Sequence, residues 1–141
     1  MINRKDIRSK ALALLIPHLS AAQEVLKHKP SKIEGQTPIV YLTSSGSNRP
    51  PLTSRGLKSQ VMLNIHILVL QSKEDENYTN ENSEDLLDDL EFGVALFVET
   101  SQRAEGSWIS IDYDGKTNAD NVIIEEGHVY THEIIRLIFT C

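Results

Sequence analysis

At 141 residues the chain is one domain by size, spanning 1–141, and can bury most of its unfolded surface without metal or disulfide staples. An apolar fraction of 40% with 24% charged residues excludes a disordered composition, a single cysteine, Cys141, excludes an intrachain disulfide, and no run reaches the roughly 18 apolar residues of a membrane span. The net charge of −6 is unevenly spread, with ten Lys or Arg against three Asp or Glu from Met1 to Gln60 and four against seventeen from Val61 to Cys141; such halves suit head-to-tail contact between identical subunits, unless they interleave in the fold and cancel.

Asn3 is placed to cap a first helix, with Asp6 meeting its free N–H groups and positive dipole end. Ile7, Ala11, Leu14 and Leu15 form one stripe at helical spacing, widened by Leu12, Ile16 and Leu19. Arg4, Lys5, Arg8 and Lys10 lie mostly off that stripe and read as a solvated face rather than a nucleic-acid patch, since no aromatic or glycine-rich partner accompanies them. Pro17 ends or kinks the helix, because the residue before proline avoids helical angles. The opening NRKDIRSK–ALALLI faintly imitates a secretory leader, but its apolar core is only six residues, so a reducing cytoplasm is expected.

Gln23–His28 is a short strand candidate, Pro30–Pro38 a polar connection, and Thr37–Thr43, TPIVYLT, a strand of β-branched and aromatic residues. Ser44–Gly56 reads as a mobile loop or the tip of a long hairpin, the alternative being a solvated linker. Arg49, Pro50, Pro51 and Arg55 there, with Lys58 and Gln60 just beyond, are candidates for a protein interface. Leu57–Leu70, LKSQVMLNIHILVL, is the organising strand. Leu57, Ser59, Val61, Leu63, Ile65, Ile67 and Val69 share one side; Lys58, Gln60, Met62, Asn64, His66, Leu68 and Leu70 share the other, which turns apolar only towards its end.

Gln71–Asn82 lacks apolar periodicity and reads as a surface loop. Ser83 then opens the strongest helix, with Glu84 and Asp85 in its first turn and a stripe of Leu86, Leu87, Leu90, Val94, Phe97 and Val98 to cover the apolar side of the long strand. Gly93 lets this helix lie close on the sheet. Glu84, Asp85, Asp88, Asp89 and Glu91 read as a solvent-facing acidic surface, since their spacing lacks the alternation of an EF-hand loop. Ser107–Tyr113 alternates as a strand, Asp114-Gly115 signals a turn, Val122–Glu125 is short, and Val129–Thr140 is a final long strand carrying Val129, Thr131, Glu133, Ile135, Leu137 and Phe139 on one side. The expected fold class is α+β: a mixed or antiparallel twisted sheet of four to six strands, including a long hairpin, packed against two helices.

Catalytic motifs are absent. His128 and His132 would meet on a helix, but in an extended chain they lie about 13 Å apart, and His-Val-Tyr-Thr-His-Glu is not the zincin order. Asp112, Asp114 and Lys116 loosely match a metal-dependent nuclease, which is the enzyme alternative, although Asp-Gly explains itself as a turn. There is no phosphate loop, nucleophile elbow or paired Cys/His set. No catalytic, cofactor or metal residue is assigned.

Taken together, NRKDIRSKALALLI, TPIVYLT, LKSQVMLNIHILVL, DENYTNEN before SEDLLDDLEFGVALFV, and HVYTHEIIRLIF at the C-terminus resemble the tail terminator (tail completion or minor tail) proteins of long-tailed bacteriophages. The likeness is one of pattern over nearly the whole chain; the Pro-rich Asn48–Leu52 and Lys116–Asn121 depart from it. The resemblance implies a non-enzymatic virion protein that caps the tail tube as a ring, typically a hexamer, and forms the head–tail joining surface. Its partners would be copies of itself, the tail tube protein and the head-completion or connector protein, in the virion tail and, during assembly, the host cytoplasm. DNA would pass without specific binding, through a lumen bearing Glu84, Asp85, Asp88 and Asp89. Another phage neck or tail adaptor is the remaining alternative.

Overall fold

The computed structural model describes residues 3–22, 24–30, 38–49, 59–72, 80–115, 117–125 and 128–141. The first helix, α1, runs Arg4–Leu15 and is capped as its sequence requires: the Asn3 side chain accepts from the Lys5 amide at 2.8 Å, with Asp6 in the first turn. Ile7, Ala11 and Leu15 are its buried stripe. Pro17 then sits in a 3-10 turn, Ile16–His18, that closes the helix and drops Leu19 into the core.

Six strands make one mixed sheet. They are β1 (Glu24–Leu26), β2 (Ile39–Asn48), β3 (Gln60–Ser72), β4 (Ser110–Tyr113), β5 (Asn118–Glu125) and β6 (His128–Thr140). β1 pairs parallel with β2; β2 with β3, and β3 with β6, are antiparallel. β4 and β5 share the other edge of β6, β4 beside Leu137–Thr140 and β5 beside His128–Ile134. They lie end to end as one broken edge strand, so the sheet is five strands wide. The second helix, α2, runs Asn80–Thr100 between β3 and β4.

Both helices cover one face. Val61, Leu63, Ile65, Ile67 and Val69 of β3 and Ile135, Leu137 and Phe139 of β6 form a single core with Ile7, Ala11 and Leu15 of α1 and Leu87, Leu90, Val94, Phe97 and Val98 of α2. Each such side chain contributes about 1.5–3 kcal/mol on burial, which makes this face the main source of stability. The apolar end of the opposite face, Leu68 and Leu70, joins Ile39, Tyr41 and Tyr130 in a second, smaller cluster.

Several expectations need correction. Ser44–Asn48 is strand, in keeping with the long hairpin and against the mobile loop: β2 continues, with a register shift between Ser44 and Gly46, because Gln60–Leu63 satisfies its backbone. Gln71 and Ser72 extend β3, and α2 begins at Asn80, so Ser83 lies within its first turn instead of preceding it; the rest of Gln71–Asn82 falls outside the described residues. Gly93 meets the 3-10 turn rather than the sheet: a Cβ there would come 2.2 Å from the His18 carbonyl oxygen. Ser107–Tyr113 is strand only from Ser110. A tight turn closed by Trp108 N–H to Ala104 O at 3.0 Å, with Gly106 at φ 78°, precedes it. This turn resets the alternation, so Trp108 and Ile111 are both buried while Ile109 is exposed. Finally, Asp114-Gly115 does not reverse the chain. Gly115 takes a φ of 80° at the break between β4 and β5, and Asp114 N–H still donates to Arg136 O at 2.8 Å. Asn118–Asn121 form the start of β5.

Candidate functional site

Surface charge is segregated by element. α1 carries Arg4, Lys5, Arg8 and Lys10 against Asp6 alone, and α2 carries seven acids and no base. The two helices touch each other and share one core, so the basic and acidic surfaces lie side by side on the same face of the sheet. Glu84, Asp85, Asp88 and Asp89 are all exposed, and Phe92 on the same helix is 62% exposed. Arg8 is half-buried and its guanidinium donates to Ser44 Oγ at 3.1 Å, tying α1 to β2.

Of the interface candidates, Arg49 and Gln60 are described; Pro50, Pro51, Arg55 and Lys58 lie outside the described residues. Arg49 is exposed just past β2, and Gln60 pairs with Asn48 on one side and Thr140 on the other. The C-terminus closes the same end of the sheet, where Cys141 N–H donates to Ser59 O at 2.8 Å. Burial raises the Cys141 thiol pKa, opposed by the Arg49 charge, so this thiol is protonated at neutral pH and a poor nucleophile. It borders a shallow depression with Arg103, Glu105, Trp108 and Ile109.

Two polar features emerge only with the sheet: a part-buried histidine pair, in which His132 was weighed only with His128, and the buried Glu133. On the face away from the helices, His66 of β3 stacks on Tyr41 of β2 (4.5 Å between centroids, 7° between planes). Its Nε2 hydrogen-bonds Thr43 Oγ1 at 2.8 Å and its Nδ1 hydrogen-bonds His132 Nε2 at 2.9 Å. Burial, reinforced by the charges of His132, Lys29 and Arg136, lowers the His66 pKa to about 4, and burial and Lys29 lower that of His132. The shared hydrogen bond needs one donor and one acceptor, so the pair cannot be doubly protonated and stay closed. His132 therefore finds its partner across the sheet rather than in His128. No sequence signal reveals this, since which rows adjoin depends on register.

On the helix face, Glu133 of β6 is only 5% exposed and is the one buried charged residue among those described. It hydrogen-bonds Thr117, while its Oε2 has no partner among the described residues. Here a signal was present: an acid in the row Thr131, Ile135, Leu137, Phe139, which otherwise faces the core.

Of the nuclease triplet, only Asp112 and Asp114 are described. Asp112 pairs with Ile138 and is exposed, Asp114 is exposed, and Lys116 lies outside the described residues. Among the described residues, no three His, Cys, Asp or Glu side chains gather to hold a metal ion, and no helix is long and apolar enough to cross a membrane. Neither a protein-family model nor a curated protein matches the chain.

Proposed function

We propose that the protein is a structural component of a long-tailed phage virion, a tail-terminator-like subunit that closes the tail tube as a ring and offers the head-joining surface. The observation that carries this reading is the juxtaposition of a basic α1 and an acidic α2 on one face. Laid against each other, α1 of one copy and α2 of the next form a heterologous contact, the type that closes a ring. Phe92, 62% exposed, and Ile16, 48% exposed at the end of α1, add apolar surface to it. The tail tube and connector proteins meet the two ends of the ring, and DNA crosses it past those acidic residues of α2 that the contact leaves uncovered.

The test is solution mass by light scattering, alone and with tail tube subunits. A ring is expected in at least one condition. Asp85→Lys with Asp89→Lys should reduce it to monomer, and adding Arg4→Glu with Lys5→Glu should restore it. A mass indifferent to both reversals overturns the helix contact, and no association in either condition overturns the ring.

A further inference from the structure

Glu133 sits where an apolar residue would pack. Its register partner on β3 is Ile67, and Thr131 and Ile135 flank it on its own strand. From the broken edge strand, the Thr117 side chain bonds one of its oxygens; Oε2, fully shielded from solvent, has no partner among the described residues. Among the described residues the charges acting on it are Glu91 and Asp88, three residues apart on one flank of α2, and both are negative. An ionised carboxylate left this way, buried, singly hydrogen-bonded and facing like charge, is among the costlier arrangements a core can hold.

Two remedies exist for such a group, a proton or a cation. No third His, Cys, Asp or Glu among the described residues closes around it to make a metal site, so the proton is the remedy that fits. We propose that Glu133 is a proton-binding latch for α2: with the proton on its carboxyl the acidic flank of the helix, packed against β3, stays seated on the sheet, and loss of that proton drives Asp88 and Glu91 away from it. Burial first, then the charges of Glu91 and Asp88, raise its pKa, against the smaller opposing effect of the Thr117 hydrogen bond. Tyr113, whose pKa is also raised by burial and by Glu91, stands at the same seam and stays neutral throughout the range concerned.

The sign follows from linkage. The folded state holds the proton more tightly than the unfolded chain, so the stabilisation is complete below the unfolded pKa near 4.5 and is lost as pH rises through the folded one. The experiment compares the full chain with Glu133→Gln, which keeps the shape and cannot ionise. Urea midpoints of the two should differ by a constant below pH 4.5, and the Gln variant should gain steadily on the wild type as pH rises. A carboxyl 13C titration, with Glu133 assigned by its loss in E133Q, should show it titrating well above 4.5, and Glu91→Gln should bring that midpoint down. A pH-independent difference, or titration at the ordinary carboxylate value, overturns the proposal. So does rescue of the alkaline loss by Mg²⁺ beyond a NaCl control of equal ionic strength, since that result makes the site a metal site. Neither readout depends on ring assembly.

Discussion

His66 is held on three sides, by the Tyr41 ring, the Thr43 hydroxyl and His132, and its environment opposes a positive charge. A pKa lowered from 6.5 to about 4 means that the folded state binds fewer protons than the unfolded chain between those values. The stabilisation from this cluster is therefore complete above pH 6.5 and declines as pH falls towards 4. We predict that the gap in urea midpoint between wild type and His66→Gln is widest at neutral pH and narrows on acidification. A gap of constant width would show that the ring's protonation is not felt by the fold. Glu133, next to His132 but facing the opposite side of β6, has the opposite slope, so one strand carries both limits of a stability optimum.

At the scale of elements, the tightest joint is between α2 and the 3-10 turn after α1. The Cβ of an alanine at position 93 would lie 2.2 Å from the His18 carbonyl oxygen, and a backbone atom cannot swing aside as a side chain can. Helix propensity favours Gly93→Ala by about 1 kcal/mol, while overpacking of this kind costs about 1–3 kcal/mol. Because the clash is with backbone, the variant should lose stability, by up to about 2 kcal/mol in urea denaturation; greater stability would show that the turn yields freely. The broken edge strand shows a different device. Gly115 supplies the positive φ that lets β4 end and β5 begin without reversing, which brings Thr117 to Glu133.

For the whole molecule, four of the ten bases of the first half fall on α1 and seven of the seventeen acids of the second half on α2, two helices that touch each other. Contact between copies through these helices pairs exposed charges, and such pairs are screened as the Debye length falls from about 10 Å at 0.1 M salt to about 3 Å at 1 M. The proposed self-association should accordingly weaken, in mass measured by light scattering, as NaCl rises over that interval. Association that strengthens instead would assign the contact to Phe92 and the other exposed apolar groups.

Much of this architecture is legible in the chain itself. Period-two alternation marks β3 and β6, a 3.6-residue stripe marks both helices, and Asn3 and Pro17 bracket the first, because each depends only on neighbours within a few residues. The continuation of β2 past Thr43 and the straight run from β4 into β5 were decided by pairing with β3 and β6, whose hydrogen bonds override local turn and loop chemistry, while the burial of Trp108 beside Ile111 follows from the tight turn back to Ala104. The same is true of the interior polar groups. His66 and His132 are 66 residues apart, and only the β3–β6 register makes them neighbours; Glu133 shows its oddity in sequence, but its acidic ceiling exists only once α2 is laid over the sheet. Local periodicity specifies which residues face inward, while what they face is set by register and packing, which no short window of sequence contains.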